Sequence, residues 1–146
     1  MMISTRSRYA LRALIDLVRH YNGTPVLLKD IAGREGISQR YLENIFTQLR
    51  TAGILKSSKG RNGGFYPART PERICLLDIV ESLENDTSVC SCIDEPGSCG
   101  RADSCVSRDA WVAVNKSFRR SLASVCLSDL VWEKEKPGMR GKTSGI

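Results

Sequence analysis

The chain has 146 residues, 41% hydrophobic and 26% charged, which suits one compact domain with a modest extension and excludes two enzyme-sized domains. No apolar run approaches the roughly 18 residues of a membrane span, and residues 1–8 lack the apolar stretch of a signal peptide, so a cytoplasmic location without membrane contact is expected. The net charge of +6 is uneven: residues 1–70 hold 12 Lys/Arg against 4 Asp/Glu, and the remainder 10 against 12. A basic half is the footprint of a phosphate-backbone partner, although a solvated basic face would read the same.

Ser4 is placed to cap a first helix reaching about Tyr21, with Ala10, Leu14, Leu17 and Tyr21 on one face and Leu11 and Val18 beside them. A turn at Asn22-Gly23-Thr24-Pro25 leads to a short helix from Leu28 to Glu35, ended by Gly36. Ser38 then caps a third helix to about Thr51, in which Leu42, Ile45, Phe46 and Leu49 recur at i, i+3, i+4 and i+7. Two helices joined by a short Gly-containing turn, the second with a full polar face, outline a helix-turn-helix. Residues 54–58 and 65–68 read as strands around Lys59-Gly60-Arg61-Asn62-Gly63-Gly64, a wing whose Pro67 suits a strand that pairs with little else. Residues 73–76 could add a short strand, and 76–83 a helix burying Leu76, Leu77, Val80 and Leu83. Periodicity is lost over 84–104 and returns near Asp103, where Trp111, Val114, Phe118, Leu122 and Val125 form one stripe ahead of a short segment to Trp132.

The expected fold class is therefore mainly α with a small β-hairpin wing. A winged helix-turn-helix occupies 1–84, a cysteine-rich loop 85–104, a long C-terminal helix and short segment 105–132, and a disordered polar tail 133–146.

The third helix offers solvent Gln39, Arg40, Tyr41, Glu43, Asn44, Thr47, Gln48 and Arg50. A helix fits the major groove, where Arg reads guanine, Gln and Asn read adenine, and Glu accepts from cytosine, while Ser38 and Tyr41 suit phosphate oxygens. Glu43 is repelled by phosphates unless a base donor meets it, so it tunes specificity rather than affinity. The wing tip carries Lys59 and Arg61 among glycines that let a backbone approach a minor groove, unless those glycines merely serve the turn. Together these features favour double-stranded DNA as the partner.

Six cysteines without an export signal favour metal binding or redox chemistry over a disulfide framework. Cys92 and Cys99 are separated by six residues, Cys99 and Cys105 by five, and Cys90 lies two positions before Cys92. Paired zinc knuckles fit this spacing poorly. Iron–sulfur clusters take Cys thiolates, and a loop such as Glu95-Pro96-Gly97-Ser98 can wrap a larger inorganic core. The metal-free alternative is a thiol-redox switch using Cys90 and Cys92, or Cys99 and Cys105. Cys75, beside Ile74 and Leu76, and Cys126, beside Val125 and Leu127, read as small buried hydrophobes outside the site. The single histidine, His20, reads as a surface residue, and one histidine leaves little material for a hydrolytic centre, so no enzyme is expected.

A set of short matches accumulates along the chain. It comprises Ser4-Thr5 with Arg8-Tyr9-Ala10-Leu11, Ile31-Ala32 before Gly36-Ile37-Ser38, Tyr41-Leu42-Glu43, and Leu49-Arg50 with Ala52-Gly53. The wing's Lys59-Gly60 and Gly63-Gly64, then Asp78-Ile79-Val80 and Leu127-Ser128-Asp129-Leu130, complete it. In this order they resemble the bacterial winged-helix regulators that include the iron–sulfur regulator IscR, the nitric-oxide sensor NsrR, the iron regulator RirA and the cysteine regulator CymR. The resemblance extends from the N-terminus to about Trp132. It implies a homodimer in which the long C-terminal helix is a dimerisation helix, and paired recognition helices on a roughly two-fold DNA operator.

It also implies an iron–sulfur cluster, two-iron or four-iron, with Cys92, Cys99 and Cys105 in the positions of the loop ligands. The chain departs from the pattern at the fourth ligand. IscR-like proteins place a His three residues after the last loop Cys, where this chain has Arg108, and NsrR-like proteins use an acidic residue where it has Arg8. Cys90, Asp103, Asp109 or an exogenous ligand are the remaining candidates. The function so implied is a DNA-binding transcriptional regulator, read as a repressor, that senses cluster, iron or redox and nitrosative status. The alternatives are a thiol-redox or cysteine-metabolism regulator without metal, and a winged-helix interaction module or metal carrier that binds no DNA.

Overall fold

A computed structural model describes residues 2–133. Helix α1 (Thr5–His20) starts at its predicted cap, where Ser4 Oγ accepts from Ser7 N at 3.3 Å. Ala10, Ala13, Leu14 and Leu17 are fully buried. Tyr21, expected on that face, is exposed and stacks on Tyr66 with ring centroids 6.2 Å apart. The cause is local: α1 ends at His20, and the extended backbone of Tyr21 turns its ring away from the helical stripe.

Helix α2 (Leu28–Glu35) ends at Gly36, whose φ of +65° lies in the left-handed region that glycine enters without a Cβ clash. Ser38 Oγ accepts from Tyr41 N at 3.3 Å and opens α3 (Gln39–Thr51), which buries the predicted Leu42, Ile45, Phe46 and Leu49. These three helices share one core with Ile31, Ile54, Leu55 and Ile74, and each large apolar side chain buried there contributes roughly 1.5–3 kcal/mol. Asp16 is buried between α1 and α2 and accepts from Arg34 Nη2 at 2.8 Å. That bond raises the guanidinium's pKa further and supplies the partner a buried carboxylate requires.

Strands β1 (Leu55–Ser58) and β2 (Gly64–Pro67) pair antiparallel, Leu55 opposite Pro67 and Ser58 opposite Gly64. The wing is less isolated than Pro67 implied. Val26 N donates to Phe65 O at 2.8 Å and Phe65 N to Val26 O at 2.9 Å, which pins β2 to the segment before α2. Gly64 makes that approach possible: its φ is +151°, and a Cβ there would lie 2.4 Å from Val26 O. Gly64→Ala is therefore expected to destabilise the fold by roughly 1–3 kcal/mol. Thermal unfolding checks this, and an unchanged midpoint would show that the clamp is not needed.

The segment expected as a strand at 73–76 instead begins with a single 3₁₀ turn (Pro71–Arg73), after which Cys75 forms one isolated antiparallel bridge with Cys126. Leu76 already opens the next helix, so no run of extended residues is left to build a ladder. Helix α4 (Leu76–Leu83) buries Ile79, Val80 and Leu83, whereas Leu76 and Leu77, expected to be buried, sit half-buried in its first turn. Just beyond α4, Glu84 Oε1 accepts from Ser4 N at 3.0 Å and from the hydroxyls of Ser4 and Ser7, which ties this end of α4 to the start of α1. Burial pushes the Glu84 carboxyl up, but the bonds from Ser4 and Ser7 outweigh it and hold the group below its ordinary value.

The region expected to be irregular contains a one-turn helix α5 (Ser91–Asp94) and a second 3₁₀ turn (Pro96–Ser98). Elements this short are invisible to hydrophobic periodicity. Helix α6 (Val106–Ser124) packs on α4, with Arg119 paired to Glu81 and the buried Asn115 Oδ1 accepting from Val89 N at 3.1 Å. Helix α7 (Leu127–Glu133) returns to α1, buries Leu127 and Val131, and receives a bond from Arg19 at Leu130 O. The predicted tail lies outside the described residues from 134 onward. Among the described residues no helix is long and apolar enough to cross a membrane.

Cys75 and Cys126 are not the buried thiols expected. They are half-buried and joined in a disulfide across 51 residues of sequence. Apolar neighbours predicted burial correctly for Ile74 and Leu127, while the two cysteines between those anchors were left facing each other.

Candidate nucleic-acid interface and thiol loop

The first turns of α3 and the wing lie on one side of the molecule, around a cleft of about 330 Å³ lined by Lys29, Gln39, Glu43, Ser57 and Phe65 among others. Ser38, Gln39, Arg40, Tyr41 and Glu43 are exposed, as are Lys59 and Arg61. Gln39, Arg40, Glu43, Lys59 and Arg61 have no side-chain hydrogen bond or ion pair among the described residues, so their donors and acceptors are available to a ligand. Tyr41 is held differently. Its ring meets Tyr9 edge-on at 6.0 Å, and Arg12 lies 5.4 Å over Tyr9, so an aromatic and cationic stack orients the tyrosine at the helix start.

Other members of the polar face are tied down. Thr47 Oγ1 donates to Glu43 O at 2.8 Å, Gln48 Nε2 donates to Asn44 Oδ1 at 3.3 Å, and Arg50 donates to Ser57 Oγ at 2.8 Å. The Arg50 bond joins α3 to β1 and fixes the wing relative to the helix. It shows no sequence signature, because Arg50 and Ser57 look like independent surface residues.

The four loop cysteines form a less complete site. Cys90 and Cys92 place their sulfurs 3.6 Å apart. Partial burial first, and the Cys92 sulfur second, push the Cys90 thiol up. Cys105 Sγ lies 3.0 Å from Ser107 Oγ, and this hydroxyl, followed by the Arg108 N–H, holds the Cys105 thiol below its ordinary value. Cys99 is exposed. Cys92, Cys99 and Cys105 are not brought together, and no group of three or more ligand-type side chains converges among the described residues. The donor chemistry fits an iron–sulfur cluster; the arrangement offers one close thiol pair, which no third ligand-type side chain joins among the described residues. Arg108, where the sequence departs from the IscR-like pattern, donates to Cys92 O at 3.2 Å and ties α6 to the loop. Asp103 and Asp109 are exposed near Cys105 in sequence. His20 is exposed as expected and bonds Asp16 O at 2.8 Å.

Comparison with known proteins shows the family and the fold. A family model described as Rrf2, iron-dependent transcriptional regulator, matches residues 3–133. The protein rrf2 of Nitratidesulfovibrio vulgaris is 39% identical over 131 residues, spanning 90% of this chain and 87% of that protein. Among solved structures, T. potens IscR superposes with a TM-score of 0.75 at 36% identity, covering 95% of this chain and 92% of that one. CymR, described as the global cysteine regulator of B. subtilis, gives 0.73 at 31% identity, covering 91% and 98%. The two solved structures share this mainly helical fold with its hairpin wing.

Proposed function

Because the chain belongs to the Rrf2 family of helix-turn-helix transcriptional regulators, we propose that it is a sequence-specific DNA-binding repressor that works as a homodimer and responds through its cysteine loop. The observation carrying this reading is the shared exposure of Gln39, Arg40 and Glu43 beside the wing cations Lys59 and Arg61. The α3 side chains supply base-edge donors and acceptors, with Ser38 and Tyr41 on phosphate oxygens, and the cations supply phosphate or minor-groove contact. Trp111, Val112 and Val114 of α6 stay exposed within one chain, and a second copy would cover them. Repression follows from occupying an operator without any catalytic step.

Within the loop, Cys92, Cys99 and Cys105 would hold an iron–sulfur cluster, with Cys90, Asp103, Asp109 or an exogenous ligand in the fourth place. When bound, such a cluster supplies reversible electron transfer and sensitivity to iron supply. The residues' own part is to present thiolates: Cys105 is already biased to that form, and Cys90 is biased against it. A second reading, a metal-free thiol regulator, is favoured by the 3.6 Å separation of Cys90 and Cys92. Counting iron and acid-labile sulfide in protein purified without air separates the two.

The DNA reading is tested by selection from a random duplex pool. The expected product is a two-fold site whose half-site centres lie about 34–36 Å apart, or a multiple of that. No enrichment above the starting pool would remove the DNA reading.

A further inference from the structure

The chain crosses into α4 at Cys75 and into α7 at Cys126, the two helices that bracket the cysteine loop and α6. Both crossing points use the same local device. Cys75-Leu76-Leu77-Asp78 opens α4 and Cys126-Leu127-Ser128-Asp129 opens α7, and in each the aspartate accepts from the N–H of its own cysteine, at 2.9 and 2.8 Å. The two strands of chain are held by the backbone as well as by sulfur: Leu76 N donates to Val125 O at 2.9 Å and Leu127 N to Ile74 O at 2.8 Å. Ile74 and Leu127 are fully buried in the core, whereas the cysteines between them are half-buried.

We propose that Cys75 and Cys126 are a thiol–disulfide exchange site, a redox clasp at the root of the α4-to-α6 segment that takes low-molecular-weight thiols and disulfides. Partial exposure admits a small thiolate to the disulfide, and exposed disulfides are the labile class. The backbone bridge keeps the two residues opposed after reduction, so closure is intramolecular and the step reverses. For closure, one cysteine thiolate attacks glutathione disulfide, forming a mixed disulfide and releasing one glutathione. The second cysteine thiolate then displaces the other glutathione. Two electrons pass from the cysteine pair to glutathione disulfide, and the two thiol protons end on the released glutathiones. Reduction runs the same steps backward.

The consequence lies in what the clasp joins. Helix α4 packs on α1 and α3, α7 packs on α1, and α6 packs on α4. With the sulfurs bonded, the entries to α4 and α7 are covalently joined; with them reduced, the backbone bridge and the core packing of Ile74 and Leu127 hold the root without that cross-link. On the homodimer reading proposed above, in which a second copy covers α6, a change at this root alters how far apart the two recognition helices are held.

The test uses the full chain carrying Cys90→Ser, Cys92→Ser, Cys99→Ser and Cys105→Ser, so that only the clasp can exchange. The protein is equilibrated with reduced and oxidised glutathione at graded ratios, trapped with iodoacetamide and mapped by peptide mass. Cys75 and Cys126 are expected to interconvert together in the folded protein, with amide exchange at Leu76 and Leu127 rising at least about tenfold on reduction. A disulfide that resists reduced glutathione until the protein unfolds, or equal exchange in both states, would overturn the proposal. The remaining measurement depends on DNA binding: affinity for a duplex selected by the wild type should differ at least about fivefold between oxidised and reduced forms, and not at all after Cys75→Ser with Cys126→Ser. If exchange behaves as expected while the wild type enriches no duplex from the random pool, the clasp stands and the DNA reading falls. Equal binding by both forms would overturn the clasp's control of spacing.

Discussion

Replacing Lys59 and Arg61 together by glutamate is expected to weaken binding to a selected duplex by at least about tenfold, or about 1.4 kcal/mol, near physiological salt. Both side chains are exposed, lie at the wing tip and have no partner to lose among the described residues, so stability should stay within about 0.5 kcal/mol. If each cation neutralises one phosphate, the dependence of log affinity on log salt should flatten by roughly 1.8, at about 0.9 per contact. The loss should be uniform across sequences. Arg40→Ala acts on another term: loss of a bidentate base contact costs roughly 1–3 kcal/mol at one position of the site and relaxes the preferred sequence there. Fluorescence anisotropy over a salt series measures both. A charge-reversed wing with unchanged affinity and slope would place the wing outside the interface.

Cys92→Ser, Cys99→Ser and Cys105→Ser are each expected to lower the iron retained after anaerobic purification by at least about tenfold, with visible absorption falling in parallel. Cys105→Ser should act most strongly, because the Ser107 hydroxyl and the Arg108 N–H favour its thiolate, the form that binds metal. The sign of the pH effect follows: protons compete for the sulfurs, so retention falls as pH falls, and the bonds from Ser107 and Arg108 hold the Cys105 thiolate against that competition. Cys90 is held in its thiol form by burial and by Cys92. Cys90→Ser should therefore matter only if Cys90 supplies the fourth ligand. Iron unaffected by all three substitutions, or absent from the wild type, would favour the metal-free pair Cys90 and Cys92.

The reading head was legible because its signals are local and repeated. Ser4 and Ser38 cap where hydroxyls precede apolar periodicity, and Gly36 sits where a left-handed residue is needed. Leu42, Ile45, Phe46 and Leu49 keep a helical repeat that fixes which side of α3 faces solvent, and hence that Gln39, Arg40 and Glu43 face outward. The errors share a different cause. Tyr21 continues the helical stripe in sequence, but the helix stops one residue earlier, and its ring goes to Tyr66. Val26 pairs with Phe65 across the helix-turn-helix, a contact with no local pattern. Cys75 and Cys126 are flanked by core residues, and the backbone bridge that opposes them arises only once α4 and α7 have packed on α1. In the loop, sequence spacing identified the thiols but not which of them meet: Cys90 and Cys92 are adjacent, while Cys99 is exposed.

The link between the thiol loop and the reading head is tested most directly by one titration. Protein purified without air is assayed for iron, then bound to its selected duplex before and after iron is removed with a chelator, under reducing conditions that keep Cys75 and Cys126 in one state. The expected result is iron at a defined stoichiometry and an affinity that changes at least about tenfold on its removal. Iron-loaded and iron-free protein binding that duplex equally would contradict control of DNA binding through the cysteine loop.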